Sequence, residues 1–164
     1  MDLEIRLVAR GAAERIVRRS RARDPRSDPA WADEYPLDGD SRACSNYLGQ
    51  LQKRVYREPF GYYQIVLDGV VVGGIGFHGP PEDGLVEIGY GVVPSFRGRG
   101  VATEALRRVL DLAAGLDDVS RVCGRADAGN VASQRVMAAA GMQLVGRDSD
   151  FLHYELELEF TAGA

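Results

Sequence analysis

The sequence predicts one α/β (α+β) domain in which a mixed sheet is flanked by helices. The chain has 164 residues, of which 45% are hydrophobic and 27% charged, enough to build a single core without disulfides. Segments with strand and helix periodicity follow one another in the order β-α-α-β-β-β-α-β-α-β-β. Neither an internal repeat nor a linker interrupts this order, so residues 1–164 are expected to form a single domain.

The first part of the chain contains one strand and two helices. Apolar and polar residues alternate over residues 3–8, as in a half-buried strand, and a short helix follows. Residues 18–36 lose this periodicity and are rich in proline and aspartate, which indicates a long loop. A second helix is expected to start at a cap formed by Asp40 or Ser41, and its apolar positions continue as far as Val55.

The second part of the chain alternates strands with helices. Asp68-Gly69 is typical of a hairpin turn between two β-rich runs, and Pro94 ends the strand that follows them. The predicted elements are strands over 62–67, 70–77 and 85–93, a helix over 101–114, a strand over 120–126, a helix from its cap at Asn130 to Ala140, and strands over 143–147 and 151–160.

Composition and charge exclude several classes of protein. A formal net charge of −4 argues against binding to nucleic-acid phosphates. The N-terminus is charged from Asp2 onward, and no apolar run approaches the roughly 20 residues of a membrane span. Cys44 and Cys123 stand alone, outside any metal-ligand spacing. We therefore expect a cytoplasmic protein with no nucleic-acid partner, no membrane partner and no metal site.

The most informative segment connects the strand over 85–93 to the helix over 101–114, and reads Arg97-Gly98-Arg99-Gly100-Val101-Ala102-Thr103. Free N–H groups at a helix N-terminus bind anions, and glycines let a phosphate approach the main chain. From the residues alone, a turn with two solvated arginines explains the segment about as well as a phosphate-binding site does. A dinucleotide-binding fingerprint would need a third glycine where Thr103 stands, and the lysine of a P-loop is also missing.

The segment over 97–102 matches the pattern R/Q-x-x-G-x-G/A and resembles the acetyl-CoA pyrophosphate loop of the GNAT superfamily of N-acyltransferases. Glu87-Ile88-Gly89-Tyr90-Gly91-Val92-Val93-Pro94 before it, and Asn130-Val131-Ala132-Ser133 after it, are similar to the ribosomal-protein N-acetyltransferase-like branch. The strong resemblance covers residues 85–142.

The resemblance implies a fold, a cosubstrate and a reaction. The fold is a mostly antiparallel seven-stranded sheet with about four helices, in which the fourth and fifth strands splay apart to hold acetyl-CoA. The reaction is direct transfer of an acetyl group, in a ternary complex, to a primary amine: a small cationic amine, an antibiotic amine or a protein N-terminus. A backbone N–H near Val92 or Val93 would stabilise the oxyanion. The implied cofactor-binding residues are Tyr90, Val92, Val93, Arg97, Gly98, Arg99, Gly100, Val101, Ala102, Thr103 and Asn130.

The resemblance also suggests catalytic residues. Glu87 stands where several members carry a glutamate that deprotonates the amine through water, although it could equally orient a loop or pair with an arginine. Many members place a tyrosine seven residues after the helix-capping asparagine, where this chain has Met137. Ser133 is the remaining candidate to protonate the thiolate, and it could instead have only a packing role. The isolated His78 is interpreted as structural, as is His153.

An acceptor site is expected in the acidic stretch before the second helix, which the resembling fold uses to bind the acceptor. Its candidate substrate-binding residues are Trp31, Asp33, Glu34 and Tyr35. Carboxylates there would attract a cationic amine, whereas a solvated loop pinned by its aromatic residues is the alternative. The arginine-rich residues 10–26 form a solvated helix face or contact an acidic partner or RNA. A homodimer is also expected. The second functional hypothesis is a degenerate acyl-CoA-binding sensor or interaction module, because the tyrosine is replaced by Met137.

Overall fold

An eight-stranded sheet organises the chain in a computed structural model, which describes residues 1–159. The strands run in the order β1-β3-β4-β5-β6-β8-β7, and β2 pairs with β4. All neighbours are antiparallel except β2 with β4 and β5 with β6. The elements are β1 (Leu3–Leu7), α1 (Arg10–Arg18), β2 (Ala30–Trp31), α2 (Asp38–Gln52), β3 (Tyr62–Leu67), β4 (Val70–Phe77), β5 (Leu85–Val92), a 3₁₀ turn (Pro94–Phe96), α3 (Val101–Ala114), β6 (Arg121–Asp127), α4 (Val131–Ala139), β7 (Gln143–Arg147) and β8 (Phe151–Glu157).

The predicted order of strands and helices is confirmed, with one strand more than the seven expected. The additional strand, β2, lies inside the predicted loop and is only two residues long, Ala30–Trp31, which is too short to show period-2 alternation. The predicted end of the last strand, Phe160, lies outside the described residues.

The predicted boundaries of the second helix are wrong at both ends. Leu37 occupies the N-cap position, and α2 begins at Asp38. Asp40 lies in the first turn, where its carboxylate accepts a hydrogen bond of 2.8 Å from the Leu37 N–H. The helix ends at Gln52, so the apolar Val55 falls beyond it and is 56% exposed. The helical spacing of apolar residues in the sequence extends past the end of α2, because Val55 fits that spacing although it is not packed in the core.

Helices cover both faces of the central strands. On one face α2 packs against β3, β4 and β5, while α3 packs against β1, β4 and β5. The pleat separates the two faces of the sheet. A Cβ added at Gly91 would meet Leu37 beside α2, whereas one added at Gly124 of β6 would meet both Ile88, of opposite parity on β5, and Met137 of α4. No helix within residues 1–159 combines the length and the apolar character needed to cross a bilayer.

The sheet opens between β5 and β6. These two strands pair only where Leu85, Val86 and Glu87 lie opposite Arg121, Val122 and Cys123. Beyond Glu87, β5 keeps its partner β4, and β6 keeps its partner β8. The splay expected between the fourth and fifth predicted strands, which are β5 and β6, is confirmed.

Candidate active site

The free edge of β5 forms one wall of the opening. The His78 N–H donates to the Glu87 carbonyl at 2.9 Å, and the Val93 N–H donates to the Val72 carbonyl at 2.8 Å. Because hydrogen-bonding direction alternates along a strand, the N–H and C=O groups of Tyr90 and Val92 point the other way, into the opening. Of the two amides expected to hold an oxyanion, that of Val93 is therefore engaged in the sheet and that of Val92 faces the opening.

The glycine-rich loop lies at the end of this edge and leads into α3. Gly98 and Gly100 adopt left-handed backbone conformations with φ of 75° and 78°. Both glycines face open space, since a Cβ added at either would meet no atom within 4 Å. Within residues 1–159, the backbone N–H groups of residues 98–103 donate to no other residue. Six free donors at the positive end of a helix dipole make an anion site.

Two arginines belong to this loop. Arg97 donates from Nε to the Val92 carbonyl at 2.8 Å, which ties the loop to the free edge of β5. Arg99 places its guanidinium 5.0 Å from the centre of the Phe96 ring. Both side chains belong to exposed residues, so their remaining donors are available to a phosphate. The loop residues predicted to hold the cofactor are thus gathered at one place.

A pair of hydroxyl groups spans the opening from β5 to α4. The Tyr90 and Ser133 hydroxyls lie 2.8 Å apart, and Tyr90 also donates to the Ser133 carbonyl at 3.1 Å. Burial raises the pKa of Tyr90, and the hydrogen bond with Ser133 partly opposes that rise. Asn130 caps α4 as predicted, because its side-chain oxygen accepts from the Ser133 N–H at 3.0 Å. Met137 is buried in the core.

A cavity of about 530 Å³ lies beneath α2, against the face of β4 and β5 that this helix covers. Glycines of β4 and β5 form its floor, and they leave room for the side chains above them. A Cβ at Gly74 would collide with Asp40 and Tyr62, and one at Gly89 would come within 2.8 Å of His78 Nε2. The polar side chains on its walls are Asp40, Arg42, Asn46, Tyr47, Gln50, Tyr62, His78, Tyr90 and Arg125.

One end of the cavity contains a buried network of oxygen atoms. Tyr62 donates to Asp40 Oδ1 at 2.9 Å, and the hydroxyls of Tyr62 and Tyr35 lie 2.6 Å apart. Asp40 is only 4% exposed. Burial raises the pKa of its carboxyl to about 6, although hydrogen bonds from Leu37 and Tyr62 act in the opposite direction. Sequence reasoning assigned Asp40 to a helix cap and missed this network, because Tyr62 approaches it from a distant strand.

At the other end of the cavity, two basic side chains of its wall, His78 and Arg125, contact Glu87. Glu87 Oε1 lies 3.2 Å from His78 Nδ1 and 3.2 Å from Arg125 Nε. Neither contact has hydrogen-bond geometry, and this enclosed oxygen accepts no hydrogen bond within the described residues. The Arg125 guanidinium in turn lies 4.8 Å from the centre of the Phe151 ring. Sequence reasoning missed His78, since only the register of the β4–β5 hairpin brings it opposite Glu87.

The four residues predicted to bind the acceptor lie outside the walls of this cavity. Tyr35 is buried, and the Trp31 ring packs edge-on against it at 5.2 Å. Asp33 is exposed, whereas Glu34 accepts hydrogen bonds from the backbone and hydroxyl of Ser95, just before the glycine-rich loop. Their role in acceptor binding stays a prediction.

Several arginines of the predicted basic stretch organise the loop between α1 and α2. One Arg21 nitrogen donates to the carbonyls of Ala32, Asp33 and Tyr35. Arg19 pairs with Asp38 at 2.6 Å. These contacts give part of the arginine-rich stretch a structural role.

A family model described as an acetyltransferase (GNAT) domain matches residues 2–143. The chain belongs to the GNAT family. The family resemblance drawn from residues 85–142 is therefore confirmed.

A curated relative of this GNAT chain agrees with the assignment. An uncharacterized N-acetyltransferase of Bacillus subtilis (strain 168), YjdG, is 33% identical over 85 residues, which is 51% of this chain and 51% of that protein. The match therefore spans about half the length of this curated relative.

Solved structures show the same fold. A ribosomal-protein-S5-alanine acetyltransferase from Vibrio fischeri has a TM-score of 0.69 at 14% identity, covering 98% of this chain and 95% of its own. YncA, a putative acetyltransferase from Salmonella typhimurium solved with its cofactor acetyl-CoA, has a TM-score of 0.63 at 21% identity, covering 98% and 96%. These similarities confirm the predicted fold class.

Proposed function

We propose that the protein transfers an acetyl group from acetyl-CoA to a primary amine by direct attack in a ternary complex. The observation that carries this proposal is the position of β5 between two sites. Its free edge and the glycine-rich loop lie on the side of the opening, and the 530 Å³ cavity lies beneath α2. A donor and an acceptor could therefore approach the same strand from different sides and meet near Tyr90 and Gly91, which line the cavity and precede Val92.

The residues of the opening suit acetyl-CoA, which supplies the activated acetyl thioester. The free N–H groups of residues 98–103 would hold the pyrophosphate, with Arg97 and Arg99 as additional donors. The backbone edge of Tyr90 and Val92 would pair with the pantetheine amides, and Asn130 lies at the adjacent start of α4. The structural neighbour YncA, solved with acetyl-CoA, supports this assignment.

The chemical step needs a hydrogen-bond donor to the oxyanion, a base that removes the amine proton, and a group that stabilises the leaving thiolate. The Val92 N–H faces the opening and would stabilise the tetrahedral oxyanion. Glu87 lies beside the cavity in contact with His78 and Arg125, and would take part in removing the amine proton. The Tyr90 phenol stays protonated because burial raises its pKa. It and the Ser133 hydroxyl would stabilise the departing thiolate by hydrogen bonding.

The acceptor is proposed to be a small cationic amine, an antibiotic amine or a peptide with a free N-terminus. Asp33 and Glu34 would attract such a cation to the protein, and Trp31 and Tyr35 would support the loop that carries them. The buried Asp40 contributes negative charge inside the cavity. Cytoplasmic location and a homodimer also stay predictions, which fractionation and analytical ultracentrifugation would check.

The second candidate function is an acyl-CoA-binding sensor or interaction module without turnover. The observation in its favour is Met137, which fills the position of the missing tyrosine with a buried apolar side chain. The Tyr90–Ser133 pair favours the enzyme instead, because it places two hydroxyl groups across the opening.

A panel of amines distinguishes the two functions. The full chain is incubated with acetyl-CoA and with spermidine, kanamycin or a tetrapeptide with a free N-terminus, and thiol release is followed. We expect acetylation of at least one amine. Acetyl-CoA binding without turnover on any amine would favour the sensor, and a protein that does not bind CoA would contradict both.

A further inference from the structure

We propose that His78 takes the proton from the acceptor ammonium and that Glu87 orients its imidazole. This inference rests on the proposed acetyl transfer and assigns the base within it. His78 lies at the end of β4, next to the hairpin that leads to β5, and its ring forms part of the cavity wall.

The position of the ring determines which nitrogen would act. His78 Nδ1 faces Glu87 Oε1 at 3.2 Å. A carboxylate favours the tautomer that carries its hydrogen on Nδ1, which leaves a lone pair on Nε2. Nε2 lies over Gly89, where an added Cβ would come within 2.8 Å of it. Gly89 therefore provides the space in which the ring lies.

Glu87 is better placed to orient His78 than to meet the amine itself. Its Oε1 is enclosed, and the cavity wall includes His78 and Arg125 but not Glu87. The His78 side chain is 50% exposed, against 33% for Glu87. Arg125 Nε lies 3.2 Å from the same Oε1, so this oxygen is enclosed between two basic side chains. The contact lacks hydrogen-bond geometry here, as is common for catalytic contacts without substrate.

Within residues 1–159, no group forms a hydrogen bond with His78 Nε2. Asn46 of α2, which is uncharged, donates to the His78 carbonyl at 3.4 Å and holds the backbone. Glu87 from β5 is the charged group in contact with the ring, and Arg125 from β6 contacts the same Glu87 oxygen. Arg125 also lines the cavity wall, as do Asp40 and Arg42 from α2.

The proposed step is balanced in protons and electrons. Nε2 accepts one proton from the ammonium, which gives an imidazolium and a neutral amine. The amine lone pair forms the C–N bond at the thioester carbonyl, and the C–S bond breaks with its electron pair on sulfur. The second proton lost by the amine nitrogen goes to the thiolate, and the imidazolium releases its proton to solvent through the cavity.

The tautomer is measurable without any substrate. The chain contains only two histidines, His78 and His153, so ¹⁵N shifts of the ring nitrogens can be assigned with His78→Gln and His153→Gln. We expect the Nδ1–H tautomer to dominate for neutral His78 and to lose that dominance in Glu87→Gln. A dominant Nε2–H tautomer in the wild type would overturn the proposal.

Kinetics separate a base from a structural residue. Asparagine at position 78 places an amide nitrogen near the position of Nδ1 and keeps the contact with Glu87, whereas glutamine reaches the position of Nε2. Since neither is a base, we expect both His78→Asn and His78→Gln to lower kcat about 100-fold, with the Kd of acetyl-CoA within twofold of wild type. His153→Gln, which alters an exposed pair with Asp148, is the matched control and keeps wild-type kcat.

The outcomes distinguish this inference from the proposed function. A wild-type protein that acetylates none of the amines would remove the proposed function and this role together. An active wild type, combined with His78→Asn that keeps kcat within threefold, would overturn the role of His78 alone.

Discussion

Asp40 is a carboxyl group held in surroundings that penalise its charge. Burial raises its pKa from 3.8 to about 6, so the folded protein binds this proton more tightly than the unfolded chain. The corresponding stability is complete below about pH 4 and is lost as the pH rises through about 6. A difference of about two pKa units corresponds to about 3 kcal/mol in the free energy of unfolding.

The raised pKa of Asp40 makes the free energy of unfolding depend on pH. We expect the free energy of unfolding of wild type, relative to Asp40→Asn, to rise by about 3 kcal/mol as the pH falls from 7 to 4, because the amide does not titrate. Urea denaturation across this range measures it. Asp111→Asn, at an exposed position of α3 far from this network, is the matched carboxyl-to-amide control. Parallel profiles for wild type and Asp40→Asn would show that Asp40 titrates normally.

At the level of elements, the start of α3 combines backbone conformation with binding. Gly100 is the N-cap of α3, with φ of 78°, and no atom lies within 4 Å of a Cβ added there. The space in front of Gly100 is not filled by any residue of the described chain, so a side chain placed there would interfere with a bound ligand.

We therefore expect Gly100→Val to weaken acetyl-CoA binding at least about 100-fold in calorimetry, since the branched side chain blocks approach to the free N–H groups. The left-handed conformation also costs stability. Gly141→Val controls for that cost, because Gly141, with φ of 94°, faces open space at the far end of α4. This control keeps wild-type affinity. Equal affinities for the two variants would mean that the cofactor binds elsewhere.

At the scale of the whole molecule, periodicity predicts the half-buried strands β1, β6 and β8 and the helix α3, because each buries one face against the core. The strands β3 and β4 are buried on both faces and are predicted instead by their β-rich composition and the turn between them. β2 was missed since two residues carry no period. The site was only partly predictable. The glycine-rich loop is a local feature, so Gly98 and Gly100 were found together. The pairing of His78 with Glu87 depends on hairpin register, and the Asp40 network depends on packing between distant elements.

Every second amide of β5 should report the opening in the sheet. We expect the Tyr90 and Val92 amides to exchange hydrogen faster than those of Gly89 and Gly91, which face β4, because their side of the strand has no partner beyond Glu87. Acetyl-CoA should slow the two fast amides. NMR-detected exchange measures this, and uniform protection along β5 would contradict the free edge.

The short pairing between β5 and β6 also has a mechanical consequence. Three residue pairs join the sheet from β1 to β5 with the sheet from β6 to β8, and the Tyr90–Ser133 hydroxyl bond crosses the same line. The two parts of the sheet are therefore joined by few contacts and can move relative to each other. A molecule bound along the opening would contact both parts, so ligand binding would reduce this relative motion.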